Sequence, residues 1–166
     1  MIIAVVGSGG KTTLIKKLAA QYRSEGKSVL VTTTTHMFIE EDTLLTDDAV
    51  TIMQALNETG YVMAGIPDGQ KFKALSKETF DAVCAIADVV LVEADGSKCM
   101  PLKYPNAKEP VIPEETDEVI VVCGLNAIGE NAKDVCHRLE LVKAPLGIED
   151  DTVITPVHVQ KLVTEG

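Results

Sequence analysis

The stretch Gly7-Ser8-Gly9-Gly10-Lys11-Thr12-Thr13 decides the fold of this chain, and it directly follows the apolar run Ile2–Val6. An apolar run of this kind is typical of a strand buried on both faces of a parallel sheet, and a helical pattern follows the glycines. A glycine-rich turn between strand and helix lets backbone N–H groups converge on phosphate oxygens, next to the positive end of the helix dipole. The stretch therefore predicts a phosphate-binding loop.

Each residue of this loop has an expected part in holding ATP or GTP together with Mg²⁺. Lys11 is predicted to reach the terminal phosphates, and the Thr12 hydroxyl is predicted to ligate the metal. The usual P-loop has a glycine five residues before the Gly-Lys pair, a position that Val5 occupies here. The loop is therefore expected to be short, and a strand-to-helix turn with no ligand remains the alternative. The predicted phosphate contacts are Gly7, Ser8, Gly9, Gly10, Lys11, Thr12 and Thr13.

A second signal is the apolar run Val89–Val92, which ends in Glu93-Ala94-Asp95-Gly96. In open α/β sheets the ligand lies beyond the carboxyl ends of the strands, where the phosphate loop is also expected. Glu93 is predicted to hold magnesium, directly or through water, while Asp95 orients a water or acts as a general base. Lys98 is expected to neutralise developing phosphate charge. The alternative is that acids and glycine simply end a strand; the predicted catalytic residues are Lys11, Glu93, Asp95 and Lys98.

Threonines end the next predicted strand, at Thr32 to Thr35, and His36 follows them. Threonine suits strands on steric grounds alone, but hydroxyls at a carboxyl end also suit a phosphate or a substrate, so Thr34 and Thr35 are predicted contacts. His36 fits either a structural position or acid–base chemistry. Its role, and that of Cys99 in the loop after Asp95, remains open.

Hydrophobic periodicity predicts an α/β fold, namely a P-loop NTPase-like three-layer sandwich with a mainly parallel sheet, as one domain over residues 1–166. A helix is expected over 47–57, although 50–53 also fits a short strand. Residues 100–116 are expected to form an extended loop, because prolines recur there. The predicted strands are 2–6, 28–33, 61–64, 89–92 and 119–123, and the other predicted helices are 12–24, 77–87, 131–139 and 155–165.

Composition narrows the function classes. A net charge of −10, with only 15 Lys and Arg among 166 residues, argues against nucleic acid as a partner, since phosphate backbones need clustered cations. No apolar run reaches the length of a membrane span, and no basic leader is visible. The four cysteines form no Cys-x-x-Cys pair, which favours a reduced protein in the cytoplasm.

Several sequence blocks together resemble the YqeC family, and the Glu-Ala-Asp-Gly-Ser-Lys block is the most specific. The resemblance implies an accessory factor in the maturation of selenium-dependent molybdenum hydroxylases, with such a hydroxylase or its cofactor-maturation proteins as partners. Members of the family run longer, so a C-terminal segment is expected to be missing here. No Asn-Lys-x-Asp motif is present, which leaves ATP versus GTP open. The blocks are 6–13, 32–37, 92–98, 109–113 and 124–129.

The short loop is also similar to that of Mur-type amide ligases, whose Gly-Thr-x-Gly-Lys-Thr spacing matches Gly7 to Thr12. Three hypotheses follow. The first is an accessory enzyme that hydrolyses a nucleoside triphosphate or transfers its phosphoryl group. The second is a non-enzymatic nucleotide switch or chaperone, in which the bound nucleotide orders loops for a partner. The third is an ATP-dependent amide ligase.

Overall fold

The computed structural model describes residues 1–165, and these fall into two compact units. The first unit comprises Met1–Val5, Thr12–Ala94 and Val111–Ile120. The second unit comprises Val6–Lys11, Asp95–Pro110 and the chain from Val121 onward. The single domain over residues 1–166 stays a prediction.

Strands and helices alternate along most of the chain. The strands are β1 (Ile2–Gly7), β2 (Val29–Thr33), β3 (His36–Phe38), β4 (Thr43–Leu45), β5 (Tyr61–Asp68), β6 (Lys71–Lys73), β7 (Val89–Glu93), β8 (Leu102–Lys103), β9 (Glu118–Val122) and β10 (Cys136–His137). The helices are α1 (Lys11–Ser24), α2 (Ala49–Thr59), α3 (Lys77–Cys84), α4 (Ala132–Val135), α5 (Leu139–Leu146) and α6 (Pro156–Glu165), with a 3₁₀ turn at Leu125–Ala127.

The main sheet of the described residues has the strand order β3-β6-β5-β2-β7-β1-β9, and β4 lies beside β5. The pairs β1/β7, β2/β7, β2/β5 and β4/β5 are parallel, and Leu91 lies opposite both Ile3 and Val31. Strand β6 pairs antiparallel with β3 and β5, an addition that the sequence patterns did not reveal. The prediction of an α/β fold with a mainly parallel sheet is confirmed.

The central strands form because most of their residues are apolar and can be buried on both faces of the sheet. All residues of β2 and β7 are buried, as are those of β1 before Gly7, as expected for parallel strands covered on both sides. Crossing from one parallel strand to the next requires a connection over the sheet, and the helical patterns supply it.

Helix α2 resolves the ambiguous middle region in favour of a helix. The Asp48 side chain accepts a hydrogen bond from Thr51 N at the start, and Gly60 closes the end at a φ of 69°. The helix packs against β5 and α3, burying Ile52 and Leu56. The alternative of a strand over 50–53 is therefore wrong.

The second unit has an apolar core of its own. Leu102, Cys136, Val142, Ile148 and Ile154 belong to it, each at most 3% exposed. Strands β8 and β10 pair in parallel at its side, so a short strand interrupts the region predicted as an extended loop.

The helix predicted over 131–139 is confirmed only in part, because helical backbone in this range is confined to Ala132–Val135 and to Leu139, where α5 begins. The chain there forms α4, then β10, and then α5, with Arg138 in the left-handed region at a φ of 64°. Pairing of Cys136–His137 with Leu102–Lys103 extends the backbone, so a tertiary contact overrides the local helical pattern.

The described part of the chain can be compared with the expectations about membrane spans and cysteines. No helix in residues 1–165 is long and apolar enough to cross a bilayer. Cys84, Cys99, Cys123 and Cys136 carry free thiols, and Cys84 and Cys123 are half-buried.

Candidate functional site

The glycine loop of the second unit holds a backbone conformation that glycine alone adopts readily. Gly7, Gly9 and Gly10 have φ values of 86°, 78° and 123°. A Cβ at Gly7 would overlap the carbonyl oxygen of Val122, and one at Gly9 would lie 2.5 Å from Gly124 N. A Cβ at Gly10 would meet no atom within 4 Å. The loop is closely packed along Gly7 and Gly9, and open at Gly10.

Ser8 anchors the loop. Its N–H donates to Val122 O at 2.7 Å, and its hydroxyl donates to Pro101 O at 3.0 Å. Pro101 O also accepts from Gly124 N at 2.7 Å. The Ser8 side chain is thus used within the protein, and the residue is 1% exposed. Ser8 therefore fixes the loop, whereas the contact predicted for it was with phosphate.

Lys11 ends the loop and begins α1. Its ammonium donates to Gly7 O at 2.8 Å and lies 3.5 Å from the Ser97 hydroxyl, and the residue is only 5% exposed. The side chain therefore turns back across the loop. The N–H groups in the first turn of any helix lack carbonyl partners within that helix, so the loop leads into a site suited to an anion.

Asp95 is buried against the loop in the second unit. Its Oδ2 accepts a hydrogen bond from Gly7 N at 3.1 Å, and its Oδ1 is paired with the Lys103 ammonium. Lys103 also pairs with Glu109 and donates to Gly96 O at 2.6 Å. Both carboxylate oxygens of Asp95 are therefore engaged, and one of them holds the loop backbone.

Arg138 extends this network. Its guanidinium donates to both oxygens of Glu109, at 2.5 and 2.8 Å, in the bidentate arrangement that Arg and carboxylate favour. The bonds from Arg138, followed by those from Lys103, lower the pKa of Glu109 to about 2, although burial opposes the shift. A continuous line of hydrogen bonds thus runs from the Gly7 backbone through Asp95, Lys103 and Glu109 to Arg138.

Lys98 was predicted to neutralise phosphate charge, and the structure places it at the surface of the loop that follows Asp95. It is exposed, has a left-handed backbone at a φ of 50°, and forms no ion pair with any residue from 1 to 164. Cys99 beside it is also exposed and left-handed, at a φ of 62°. Lys103, rather than Lys98, is the lysine on Asp95.

Thr12 and Glu93 meet in the first unit. The Thr12 hydroxyl donates to Glu93 Oε2 at 2.7 Å, and Glu93 is 8% exposed at the carboxyl end of β7. The two predicted metal ligands are therefore adjacent, while Thr13 on the next position of α1 is exposed.

These two oxygens fit Mg²⁺, which usually takes one or two carboxylates and fills its other positions with water and substrate phosphate. The described residues contain no cluster of three or more His, Cys, Asp or Glu suited to a metal. A metal at Thr12 and Glu93 thus has to complete its coordination from water or from a ligand.

The threonines at the end of β2 bond to the neighbouring strand end. The Thr33 hydroxyl and the Thr34 N–H both donate to Glu93 O, at 2.7 and 3.2 Å. The Thr34 hydroxyl donates to Val111 O at 2.6 Å, and the Thr35 N–H donates to the Thr33 hydroxyl at 2.9 Å. Thr34 therefore lies at the backbone of Glu93, Thr35 bonds to Thr33, and the polar groups of both predicted contacts are bonded within the protein.

His36 lies on β3, where its Nε2 is 3.0 Å from Asp68 Oδ2. Both side chains are about half exposed, so this contact resembles a surface ion pair.

A cavity of about 390 Å³ opens at the end of β2 in the first unit. Thr33 and Thr34 form one side, and Phe80, Val111 and Ile112 supply apolar walls. Val111 is fixed beside the end of β7, because its N–H donates to Ala94 O at 3.0 Å. The cavity therefore lies where an open α/β sheet places its ligand.

Sequence reasoning missed three members of the charged network, namely Lys103, Glu109 and Arg138. Lys103 had no predicted role, yet its side chain is only 1% exposed. Glu109 belongs to the Glu-Pro-Val-Ile-Pro block, which was the available signal, although it carried no role there. Nothing in the sequence around Arg138 indicated its pairing across 29 positions.

Comparison with known proteins places the chain in a family. The model of the YqeC protein family matches residues 3–140. The chain is 38% identical over 162 residues to a protein of Escherichia coli (strain K12) named "Uncharacterized protein YqeC". The match covers 92% of this chain and 63% of that relative, so the chain spans less than two thirds of the relative's length. No solved structure matches the chain.

Proposed function

The chain belongs to the YqeC family, and we propose that it is a magnesium-dependent nucleotide-binding protein that hydrolyses a nucleoside triphosphate or transfers its phosphoryl group. The glycine loop is the observation that carries this proposal. Three glycines with positive φ stand between a buried strand and a helix, and the lysine that follows them turns back over the loop. This is the combination that a phosphate cradle requires.

In this proposal the loop backbone and Lys11 hold the phosphates. The opening at Gly10 leaves space at the backbone, and the ammonium of Lys11 exchanges its contact with Gly7 O for the terminal phosphates. Such an exchange keeps the lysine hydrogen-bonded in both states, which avoids leaving a buried charge unpaired. We propose that the chain has the fold of a P-loop NTPase-like three-layer sandwich. A glycine loop with this geometry is expected in such a fold.

Thr12 and Glu93 are proposed as the magnesium ligands. When bound, Mg²⁺ would neutralise phosphate charge. The Thr12 hydroxyl and the Glu93 carboxylate are already 2.7 Å apart, so little rearrangement brings both to one cation.

In hydrolysis, water attacks the γ-phosphorus while the bond from that phosphorus to the bridging oxygen breaks. The products are the nucleoside diphosphate, inorganic phosphate and a proton. Phosphoryl transfer differs only in the attacking oxygen, which then belongs to an acceptor. Asp95 is assigned a positioning role in this scheme, since both its oxygens are engaged and one holds the Gly7 N–H.

We also propose that the protein acts in the maturation of selenium-dependent molybdenum hydroxylases. Family membership supports this process, and the chain's own residues support the nucleotide chemistry. A hydroxylase of this class, or a protein that matures its cofactor, is the proposed partner, with the cytoplasm as the proposed compartment.

A nucleotide switch is the second candidate, and one observation favours it. The hydrogen bonds from Gly7 N through Asp95 and Lys103 connect the loop backbone to the segment 95–110 of the same unit. A ligand that moves the loop would thereby shift this segment for a partner protein. Turnover that rises only with a partner supports the switch, while turnover that requires a small carboxylate or amine supports the amide ligase.

Titration calorimetry with Mg²⁺ and ATP or GTP tests the nucleotide site. We expect Lys11→Ala to weaken binding by about tenfold or more, since it removes a charge-assisted bond to phosphate. Thr12→Val should weaken the magnesium dependence of binding, and Thr12→Ser should restore it.

Lys17→Ala is the matched control, because Lys17 is an exposed lysine on the same helix. Its affinity should equal that of the wild type. A wild type that binds neither nucleotide would refute the proposal, and equal affinities for Lys11→Ala and Lys17→Ala would remove Lys11 from the site.

A further inference from the structure

The second unit contains a cavity of about 480 Å³, which is large enough for a small-molecule ligand. Its lining comes from the segment around Lys98 and from residues 133–150, and no residue of the glycine loop lines it. Four lining side chains are cationic and two are acidic, whereas the whole chain has a net charge of −10. The cations are Lys98, Lys133, Arg138 and Lys143, and the acids are Glu140 and Asp150.

Two of these cations have no acidic partner among residues 1–164. Lys98 and Lys133 are exposed, and neither forms an ion pair with any residue from 1 to 164. Lys143 differs, because Asp150 lies 2.6 Å from its ammonium. The positive charge available to a ligand is therefore carried by Lys98 and Lys133, with Glu140 as the remaining acid.

Arg138 adds directed hydrogen-bond donors. A guanidinium has five N–H donors, and two of those of Arg138 are directed at Glu109. This pairing fixes the plane of the guanidinium. A ligand that accepts hydrogen bonds from the remaining donors therefore orders the side chain at little further cost in entropy.

The imidazole of His137 reports the same positive surroundings. Its pKa is lowered, first by burial and then by the charges of Arg138, Lys98 and Lys103, while Glu109 opposes the shift. The ring is therefore biased towards its uncharged form, in which it both donates and accepts a hydrogen bond.

We propose that this cavity binds a small molecule that carries a phosphate group, with Lys98, Lys133 and Arg138 as its contacts. Lysine ammonium groups and a fixed guanidinium are groups that recognise phosphate oxygens, and the charges of Lys98 and Lys133 match the double negative charge of phosphate. The assignment uses none of the residues of the proposed nucleotide site, so the two proposals stand or fall separately.

Calorimetric titration with inorganic phosphate in the absence of nucleotide tests the site. The double variant Lys98→Ala/Lys133→Ala should raise the dissociation constant by about tenfold or more. The control Lys17→Ala/Lys161→Ala removes the same charge from two exposed helix positions and should change it by less than about twofold. Phosphate should also raise the pKa of His137, followed by NMR of its ring protons, because a nearby anion favours the imidazolium.

Three results would overturn the inference: no phosphate binding by the wild type at millimolar concentration, an equal loss in the control, or unchanged affinity in the Lys98/Lys133 variant. The variant Lys11→Ala shows whether phosphate binds in the cavity or at the glycine loop. Phosphate binding that is lost in Lys11→Ala and kept in the Lys98/Lys133 variant would assign the anion to the glycine loop instead. A protein that binds phosphate as expected but no nucleotide would refute the proposed function and leave this cavity site intact.

Discussion

Lys103 is the buried cation that neutralises two carboxylates of the second unit. Its side chain is 1% exposed and pairs with Asp95, which is 3% exposed, and with Glu109. Lys103→Met keeps most of the volume and removes the ammonium, which leaves Asp95 as a buried charge without its counterion. We expect a loss of about 3–5 kcal/mol in the free energy of unfolding, measured by urea denaturation.

Lys108→Met is the matched control for this variant. Lys108 belongs to the same loop, is exposed and forms no ion pair with the described residues, so its replacement should change stability by less than about 0.5 kcal/mol. Adding Asp95→Asn to Lys103→Met should recover part of the loss, because it removes the unpaired charge. Equal stabilities of the Lys103 and Lys108 variants would contradict the role of Lys103.

The same lysine shows how far spacing predicts a site. The sequence favoured Lys98 as the lysine that neutralises phosphate charge, since it stands three positions after Asp95. In the structure, Met100 N donates to Ser97 O at 3.0 Å, and Lys98 is left-handed, so the chain turns and only later brings Lys103 to the carboxylate. Thr12 and Glu93 were both predicted as magnesium ligands, and their side chains lie 2.7 Å apart, because Thr12 begins a helix and Glu93 ends a strand whose apolar patterns are plain in the sequence.

At the scale of elements, the backbone conformation of the glycine loop predicts how glycine substitutions change the free energy of unfolding. Gly7→Ala and Gly26→Ala both place a side chain at positive φ, at 86° and 78°, which costs about 1–2 kcal/mol. Only the Gly7 variant also directs its Cβ into the carbonyl oxygen of Val122, since Gly26 has nothing within 4 Å. Gly7→Ala should therefore lose clearly more unfolding free energy, measured by thermal or urea denaturation. Equal losses would contradict the close approach at Gly7.

Strands could be predicted where the residues that make them form are close together in the sequence. Strands β1, β2 and β7 are apolar runs buried on both faces, and their ends fall within a residue of the predicted ones. The failure over 131–139 has a distant cause. Strand β10 exists because Cys136–His137 pairs with β8, and Arg138 leaves the helical region beside Glu109, 29 positions earlier. A hydrophobic pattern read over a short stretch of sequence carries no information about such distant pairings.

At the scale of the whole molecule, alternating strands and helices sufficed for the fold class, because parallel strands need crossovers. The two compact units were not visible in the sequence. Each unit combines separate stretches of chain, such as Val6–Lys11 with Asp95–Pro110, so no linker or change in composition marks a boundary. A division of this kind depends on long-range packing alone.

Acid should weaken the whole fold through Glu109. Folding lowers the pKa of this carboxyl from 4.5 to about 2, chiefly through the bonds from Arg138, so the folded state favours the ionised form. The stabilisation is complete above about pH 4.5 and is lost as the pH falls towards 2. Glu109→Gln does not ionise, so the wild type should exceed it in unfolding free energy at neutral pH. Urea denaturation at a series of pH values should show this difference shrinking across the same interval, and a difference that stays constant with pH would contradict the assignment.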